Sequence, residues 1–591
     1  MGHARTYLGF DIIRRILVSY FGYDVTLVMN ITDLDDKIIK RANEQNIPCS
    51  ELSQKFEAEF HDDMQNLNVS PPDILTRVTE YMPKIVTYID EIVEKKLAYE
   101  SNGSVYFNVD AFSQTEGMNY GKLAPESIGN SDLLAEGEGN ANEHTGDKRS
   151  SKDFALWKRS KEGEPTWDSP WGPGRPGWHI ECSVMASDIF SQIASSDEIG
   201  QINIEAGKMD IHSGGVDLKF PHHENEMAQA EAHSGCTQWV NYFVHSGHLH
   251  IDGFKMSKSL KNFITIQQAL EINTARQMRM CFLLHKYNAP MDYGDNTMTH
   301  AVLREKFFSD FFQNVKAILR STPIITSQAW DERAKILQND IQQAKKAVND
   351  ALCDDFDTPT TFSVLSNLVK TVNKYLENND HIVSLLIRNA AIFITKMFRI
   401  FGLIPDGSGG GEIGWSVTGS DNAGVEDSLT PILDALMEFR SNVRDKARSK
   451  DSQGVLAECD AFRDVNLPPL GVRLEDKATG SVWKLMDPKD IEQLEEEKKR
   501  KEQEKVEAMM AAKKLQEQKN ALNKLTPEEF MKTLTIDADG KEIAKYSKFD
   551  ESGMPTHFHT GEPLNKNQGK KAAKEFQGQK KKYEKYLSQQ S

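Results

Sequence analysis

Apolar residues near the start of the chain recur at helical spacing, and a strand-like run follows them. Between Arg5 and Phe21, one helical face collects Tyr7, Ile12, Ile13, Ile16, Leu17 and Tyr20. Gly22 ends this predicted helix, and residues 24–29, Asp-Val-Thr-Leu-Val-Met, are typical of a buried β-strand. Because a helix followed by a buried strand is the second half of a βαβ unit, the pattern predicts an α/β sheet.

Patterns farther along the chain predict an inserted segment, a helical bundle and a charged extension. Helical spacing over 80–96 and a strand pattern over 104–109 predict an inserted α+β segment, and a loop rich in Gly, Asn and Ser follows over 129–151. Helical periodicity dominates over 299–402 and predicts a bundle of helices. A Glu/Lys-rich helix is predicted over 491–524, and its few apolar residues favour a solvated face over a coiled coil.

The composition describes a globular chain without a membrane span. Hydrophobic residues make up 39% of the 591 residues, and no apolar stretch approaches the roughly 18 residues that a membrane-spanning helix needs. The six cysteines are too few and too scattered for a disulfide framework, which favours a reducing compartment. The formal net charge, 71 − 88 = −17, argues against a protein that simply coats nucleic acid, because phosphate contacts need local Lys and Arg.

The C-terminal end of the chain is basic, although the chain as a whole is acidic. Residues 566–591 hold eight lysines against two glutamates, which is a local charge of +6. Such a segment either adds affinity for an RNA backbone by counterion release or forms a disordered solubilising tail.

Two lysines flank a small hydroxyl residue in the string Lys255-Met-Ser-Lys258-Ser. Lysine has a compact charge on a flexible stem, so both ammonium groups can reach one triphosphate. They would offset the charge that develops on an α-phosphate and on departing pyrophosphate. An isolated Lys-x-x-Lys is usually an ordinary surface loop, but the full string resembles the KMSKS loop of class I aminoacyl-tRNA synthetases. The resemblance implies that Lys255 and Lys258 are catalytic and that Lys258 contacts ATP.

Class I synthetases have a partner signature, His-x-Gly-His, at the start of their first helix. The chain opens with Met1-Gly2-His3, so the match begins at the second position of the signature and its first histidine is missing. A helix start with a glycine presents amide donors to phosphate, as expected for a nucleotide site. The resemblance implies ATP contact by Gly2 and His3, and a catalytic role for His3.

Cysteine, histidine and glutamate from two segments form a possible metal set. Residues 174–182 are Gly-Arg-Pro-Gly-Trp-His-Ile-Glu-Cys, and residues 221–226 are Pro-His-His-Glu-Asn-Glu. Since proline suits a first helical turn, His222 and Glu226 are predicted to lie on one helix face. With Cys182 they are a plausible zinc set, in which three protein ligands leave one position open. The alternative is a buried structural cysteine and an ordinary capped helix start.

Together these segments resemble the cysteinyl-tRNA synthetase family, from Met1 into the bundle and on to residues 467–476. In that family the matching Cys, the first His of the pair and the second Glu hold zinc with one further Cys near the N-terminus. This implies that Cys182, His222 and Glu226 bind one Zn²⁺ per chain. Zinc takes a substrate thiolate as a ligand, whereas a serine hydroxyl stays protonated, so no editing domain is required.

The resemblance also implies contacts to the two small substrates. Thr32 would line the amino-acid pocket, and a helix-capping role for it is equally compatible. Trp178, one helical turn before the metal-binding cysteine, would form an aromatic wall near the substrate or pack in the core. Gly215 and Asp217 would meet the ATP ribose, and His248 would approach the adenine.

The implied fold is α/β: a class I Rossmann-type nucleotide-binding domain with an inserted α+β segment, an all-α helical bundle and a charged C-terminal extension. The predicted division places the first part of the catalytic domain at residues 1–49, the insertion at 50–152 and the second part of the catalytic domain at 153–297. The tRNA-binding bundle follows at 298–450 and the extension at 451–591. The implied activity is ATP-dependent, AMP-forming attachment of L-cysteine to tRNA(Cys), with ATP bound as its Mg²⁺ complex. Similarity of residues 546–557 to eukaryotic cytosolic members implies a cytoplasmic location, and the oligomeric state stays open.

Two other functions stay open at this point. One is a related ATP-dependent ligase that joins cysteine to an amino-sugar, and the long helical region weighs against it. The other is a truncated, catalytically silent RNA-binding protein, for which a complete lysine loop and a metal set would be unnecessary. The resemblance further implies that a first strand, the first signature histidine and a fourth zinc cysteine precede Met1. We therefore expect Met1 to be an internal methionine, and the chain as written to be weakly active or inactive.

Overall fold

The computed structural model describes most of the chain and divides it into two compact units, Met1–Ala423 and Gly424–Ser591. The described residues are 1–138, 147–196, 208–251, 253–255, 263–321, 329–377, 381–405, 412–415, 423–477, 480–485, 520–538 and 541–588, with single positions or pairs between 500 and 510. Among them, no helix combines the length and the apolar character needed to cross a membrane.

The first unit is mixed α/β. Its described helices are α1 (Gly2–Arg15), α2 (Asp36–Gln45), α3 (Cys49–Asn66), α4 (Met82–Glu94), α5 (Val109–Gln114), α6 (Ser131–Glu138), α7 (Trp178–Ser196), α8 (Glu224–Ser234), α9 (Ile266–Ile272), α10 (Ala275–Leu283), α11 (Asp295–Ser321), α12 (Glu332–Cys353), α13 (Thr358–Glu377) and α14 (Ser384–Ile400). Its described strands are β1 (Val28–Ile31), β2 (Ile74–Arg77), β3 (Ala98–Ser101), β4 (Ser104–Phe107), β5 (Phe154–Arg159), β6 (Gly174–Pro176), β7 (Met209–Gly215), β8 (Val240–Ser246), β9 (Leu249–Ile251), β10 (Phe254–Lys255) and β11 (Met291–Asp292).

The apolar face predicted for the first helix is buried in part: Ile12, Ile13 and Ile16 are buried, whereas Tyr7, Leu17 and Tyr20 are half-buried. A π-helical turn over Ile16–Tyr20 continues α1. The following strand begins at Val28, four residues later than predicted. The reason is local: the amide of Leu27 donates to the carboxylate of Asp73 at 2.7 Å, while its carbonyl accepts from the amides of Asp73 and Ile74. The loop before β2 therefore provides the backbone hydrogen bonds of Leu27, which were expected to belong to a strand ladder.

Parallel strands pair in three separate places in the part of the chain that is described, and one of these, β9 with β11, is only two residues long. In a longer pair β1 lies beside β2, with Val28 opposite Ile74. In the other longer pair β7 lies beside β8, and the register runs to Gly215 opposite Ser246. The sequence predicts one sheet, but a cavity lined by β1 and β7 lies where a ladder would join the pairs. The inserted segment adds an antiparallel sheet in the order β3-β4-β5-β6.

Helices α11 to α14 form the predicted bundle, and phenylalanine rings fill its centre. The ring centroids of Phe308, Phe362 and Phe398 lie between 4.8 and 6.1 Å apart. Aromatic rings contribute large buried areas, so this cluster stabilises the packing of α11, α13 and α14 against one another.

The second unit is small and mixed. Its described elements are α15 (Ala423–Arg448), α16 (Ser452–Ala461), β12 (Val472–Lys477), β13 (Gly480–Leu485), α17 (Pro527–Thr533), β14 (Thr535–Ala538), β15 (Lys541–Ala544), β16 (Tyr546–Phe549), β17 (Pro555–Phe558) and α18 (Lys566–Ser588). Met531, Tyr546 and Ala572 form a buried cluster, so α18 packs against the hairpin of β16 and β17. The lysine-rich segment is a packed helix there, and the disordered-tail alternative is wrong for it.

Candidate active site

One cavity of about 1940 Å³ in the first unit brings most of the predicted site residues together. It is lined by residues of the β1–β2 and β7–β8 pairs, by the starts of α1 and α7 and by the segment before α8. The predicted residues that line it are Gly2, His3, Thr32, Trp178, Cys182, Gly215, Asp217, His222, Glu226 and His248. Residues that are far apart in the sequence thus meet in one place.

The three proposed metal ligands converge in this cavity. Cys182 lies on α7, Glu226 lies on α8, and His222 lies in the π-helical turn Lys219–His223 that leads into α8. His222 Nε2 is 3.6 Å from Cys182 Sγ and 2.8 Å from Glu226 Oε1, and all three ligand atoms lie within 4.8 Å of one another. Ligand atoms around a tetrahedral zinc ion are about 3.3–3.8 Å apart, so small adjustments would fit one ion.

The charges of this set also suit a cation. Burial, together with the carboxylates of Glu226 and Glu181, raises the pKa of the Cys182 thiol well above its usual value. A thiolate there is therefore costly unless a positive charge lies beside it. Glu226 Oε1 is buried and accepts no aligned hydrogen bond among the described residues, although His222 Nε2 lies 2.8 Å away. A divalent cation would stabilise both a thiolate at Cys182 and this carboxylate oxygen, so the residues fit zinc.

Three further side chains contact the proposed ligands, and the sequence did not indicate them. The amide of Asn30 donates to Cys182 Sγ at 3.5 Å. His179 Nδ1 lies 2.8 Å from His222 Nδ1, and His212 Nε2 lies 2.8 Å from Glu226 Oε2. His179 lies three residues before the proposed cysteine ligand, so proximity in sequence is the one signal that could have suggested it. Asn30 and His212 come from β1 and β7, whose approach to the ligands depends on tertiary packing.

The predicted ATP residues lie where the parallel strands end. Gly215 is the last residue of β7, and Asp217 Oδ1 is 3.9 Å from His248 Nδ1. A Cβ on Gly214 would lie 2.8 Å from the ring of His223, so the strand end can approach the segment before α8 only as glycine. His3 is exposed at the start of α1 and lines the same cavity. The carboxyl ends of parallel strands are where open α/β sheets bind ligands.

Of the remaining predicted site residues, the structure describes all except Lys258. Thr32 follows β1 and lines the cavity. Trp178 is partly buried, and its ring lies 4.2 Å from that of His222 at an angle of 34°, so it covers one face of the proposed ligand. Lys255 ends β10 opposite His250, whereas Lys258 lies outside the described residues.

Similarity to known proteins shows the family of the chain. Residues 1–303 match the family model of the class I (C) tRNA synthetase catalytic domain, and residues 347–405 match that of the DALR domain. A cytoplasmic cysteine–tRNA ligase of Dictyostelium discoideum is 49% identical over 99% of this chain and 86% of its own length. The chain belongs to the cysteinyl-tRNA synthetase family. Cytoplasmic members in Drosophila melanogaster and Xenopus tropicalis are each 40% identical and are covered over 92% and 90% of their lengths.

Membership of the cysteinyl-tRNA synthetase family confirms the predicted class of enzyme, a ligase that aminoacylates tRNA. Solved structures confirm the class I fold. Methionyl-tRNA synthetase of Mycobacterium tuberculosis in complex with methionyl-adenylate matches with a TM-score of 0.51 at 14% identity, over 67% of this chain and 88% of that one. A second structure, of that synthetase bound by methionyl-adenylate, gives a TM-score of 0.50 at 14% identity over the same shares. At this identity the likeness concerns the fold alone.

Proposed function

We propose that the cavity activates L-cysteine with Mg²⁺-bound ATP and transfers the product to tRNA(Cys) in the cytoplasm. The observation that carries this proposal is the convergence of Cys182, His222 and Glu226 in the cavity that also contains His3 and Asp217. The names of the relatives support cysteine, tRNA and the cytoplasm as substrate, acceptor and location.

The reaction has two steps. A carboxylate oxygen of cysteine attacks the α-phosphorus of ATP, and the bond to pyrophosphate breaks to leave cysteinyl-adenylate. A hydroxyl of the terminal tRNA ribose then attacks the carbonyl carbon, AMP departs, and the hydroxyl proton passes to the departing phosphate or to water. Neither step needs a protein nucleophile, because the site acts by positioning and by charge.

Selection of cysteine is assigned to the three metal ligands and the groups around them. Cys182, His222 and Glu226 would hold zinc. Zinc supplies a cation that prefers the sulfur of cysteine to the hydroxyl of serine. Trp178, packed on His222, and Thr32, at the end of β1, would line the amino-acid pocket and exclude water from it.

The other proposed residues act on ATP. His3 at the start of α1, with Lys255 and Lys258, would stabilise the phosphate charge that develops as pyrophosphate leaves. Asp217 would accept a ribose hydroxyl, and Gly2, Gly215 and His248 would contact the nucleotide. No side chain among these needs to exchange a proton with the substrate.

The deciding experiment is ATP–pyrophosphate exchange with purified protein, followed by aminoacylation of tRNA. Exchange should depend on cysteine and should not occur with serine at equal concentration. Charging of tRNA(Cys) without charging of an amino-sugar would separate the proposal from the amino-sugar ligase. The assay is run on this chain and on an upstream-extended version, and exchange that is absent in both, each shown to be folded and to contain metal, would instead favour the silent RNA-binding protein.

The basic helix α18 has a proposed role in tRNA affinity. Its eight lysines are all exposed, and its packing through Ala572 leaves them available to a phosphate backbone. Replacing Lys580, Lys581 and Lys582 with glutamine should weaken tRNA binding and lower its salt dependence, because fewer counterions are released. A binding curve measured at several salt concentrations, with an unchanged slope for the variant, would exclude this role.

A further inference from the structure

Each of two proposed metal ligands has a second polar atom, and a histidine contacts it. Nδ1 of His222 lies 2.8 Å from Nδ1 of His179, and Oε2 of Glu226 lies 2.8 Å from Nε2 of His212. We propose that His179 and His212 are positioning residues that orient His222 and Glu226 toward the metal. The inference rests on the proposed zinc site and extends it to two residues that would not touch the ion.

The first contact determines which nitrogen of His222 is available. In a hydrogen bond between two Nδ1 atoms, one ring must donate and the other must accept. When His222 donates through Nδ1, its Nε2 keeps a free lone pair, and this is the atom 3.6 Å from Cys182 Sγ. His179 is 2% exposed and packs edge-on against Phe154 with ring centroids 5.8 Å apart. Its position is therefore fixed by the core, independently of any metal.

The second contact determines which oxygen of the Glu226 carboxylate is available to a metal. His212 engages Oε2 of Glu226, which leaves Oε1 to face His222 Nε2 at 2.8 Å. His212 lies on β7, and its ring packs against that of His223 at an angle of 31°, with centroids 4.1 Å apart. His223 Nδ1 is in turn 2.9 Å from His245 Nε2. A short chain of packed rings thus fixes the partner of Glu226.

A competing arrangement uses the same residues differently. His212, His223 and Glu226 also place one ligand atom each within 4.8 Å of one another and could hold an ion themselves. Both sets share Glu226, but the set with Cys182 includes sulfur, which zinc favours, and Oε1, which accepts no aligned hydrogen bond among the described residues. The positioning role of His212 is therefore favoured, and the experiment below distinguishes it from direct ligation.

The test measures metal binding instead of activity. Zinc affinity is obtained by competition with a chromophoric chelator, and the ligand set is checked by the absorption of the cobalt-substituted protein. His179→Ala and His212→Ala should keep one metal per chain and the cobalt–thiolate band but bind zinc about 10–100-fold more weakly. His179→Asn and His212→Gln place a hydrogen-bonding atom near the lost nitrogen, so they should restore affinity to within about threefold of wild type.

Three outcomes would overturn the inference. These are wild-type affinity in both alanine variants, equal weakness in the alanine and amide variants, and complete loss of metal in His212→Ala, which would make His212 a ligand. Circular dichroism and thermal unfolding of each variant without metal separate misfolding from weak binding, and the amide variants provide the test if an alanine variant does not fold. Wild-type protein that binds no zinc at all would instead refute the proposed zinc site itself.

Discussion

The guanidinium of Arg279 on α10 lies 2.5 Å from the carboxylate of Asp11 on α1, and both side chains are 1% exposed. Arg279 also donates to the carbonyl of Asn68 at 2.6 Å, and Arg15 donates to the same carboxylate at 2.9 Å. The buried Asp11 carboxylate, shared by two arginines, therefore ties α1 to α10, and Arg279 ties α10 to the residues that follow α3.

Removing one charge of this pair should destabilise the first unit strongly. In Asp11→Asn the buried guanidinium loses its counter-charge, which costs about 3–5 kcal/mol of unfolding free energy. Urea unfolding followed by tryptophan fluorescence measures the change. The matched control is Asp310→Asn, whose exposed i,i+4 pair with Lys306 should contribute less than about 1 kcal/mol. Equal effects of the two substitutions would contradict the prediction.

The same carboxylate gives the stability of the protein a defined pH dependence. Burial alone would raise the pKa of Asp11, but Arg279, Arg15 and the amide of Ser70 outweigh it and hold the pKa below its usual value. Because the folded pKa is lower than the unfolded one, the contribution is complete above about pH 5 and is lost as the pH falls through the folded value. The stability difference between wild type and Asp11→Asn should stay constant from pH 7 to about 5 and shrink below that range.

Loss of the proposed cysteine ligand should remove the metal. Cys182→Ser replaces a soft sulfur with a poor ligand, so the zinc content after dialysis should fall from about one per chain to nearly none. Inductively coupled plasma mass spectrometry gives the stoichiometry. Cys353 is an exposed cysteine on α12, and Cys353→Ser should keep full metal content. Retention of metal by Cys182→Ser would show that this sulfur is not a ligand.

Close backbone approach makes Gly247 sensitive to a single methyl group. A Cβ at this position would collide with the carbonyl of Ala289, whereas a Cβ on Gly294 would meet nothing within 4 Å. We expect Gly247→Ala to lose about 1–3 kcal/mol of stability through overpacking, and to raise the KM for ATP because His248 follows directly. Gly294→Ala is the control and should change neither thermal unfolding nor the KM.

The rate of thiol alkylation should differ between a buried and an exposed cysteine of the first unit. Burial raises the pKa of Cys281 to about 12, so its thiolate is scarce at pH 8 and is also shielded from reagents. Cys353 is exposed. Alkylation with iodoacetamide, followed by peptide mass spectrometry, should modify Cys353 at least about 100-fold faster than Cys281. Comparable rates in native protein would mean that α10 opens far more readily than its packing indicates.

The sequence was sufficient for residues that act within short motifs. His222 and Glu226 are four residues apart, and their predicted shared face follows from helical periodicity alone. Cys182 and Thr32 depended on resemblance to a family, since nothing local distinguishes a ligand cysteine from a buried one. The cavity brings them together only because the α7 helix packs across the end of β1.

Contacts between distant segments could not be predicted in this way. His212 is an ordinary strand residue in the sequence, and its role as a partner of Glu226 depends on the register of β7 beside β8. The start of β1 was predicted too early for a similar reason. Apolar β-branched residues favour a strand, but the carboxylate of Asp73, 46 residues away, satisfies the backbone of Leu27 first. Long-range polar contacts of this kind leave no periodic signal.

The proposed ligands come from two elements that are separated by 40 residues, from Cys182 to His222. An ion held by both would act as a reversible crosslink that closes a long loop, and it could leave only when α7 and the start of α8 move apart. The rate at which an excess of chelator captures the ion would then report how often these two helices separate. The rate of metal exchange would therefore measure how often the cavity opens locally between these helices, and it can be measured in protein without substrate.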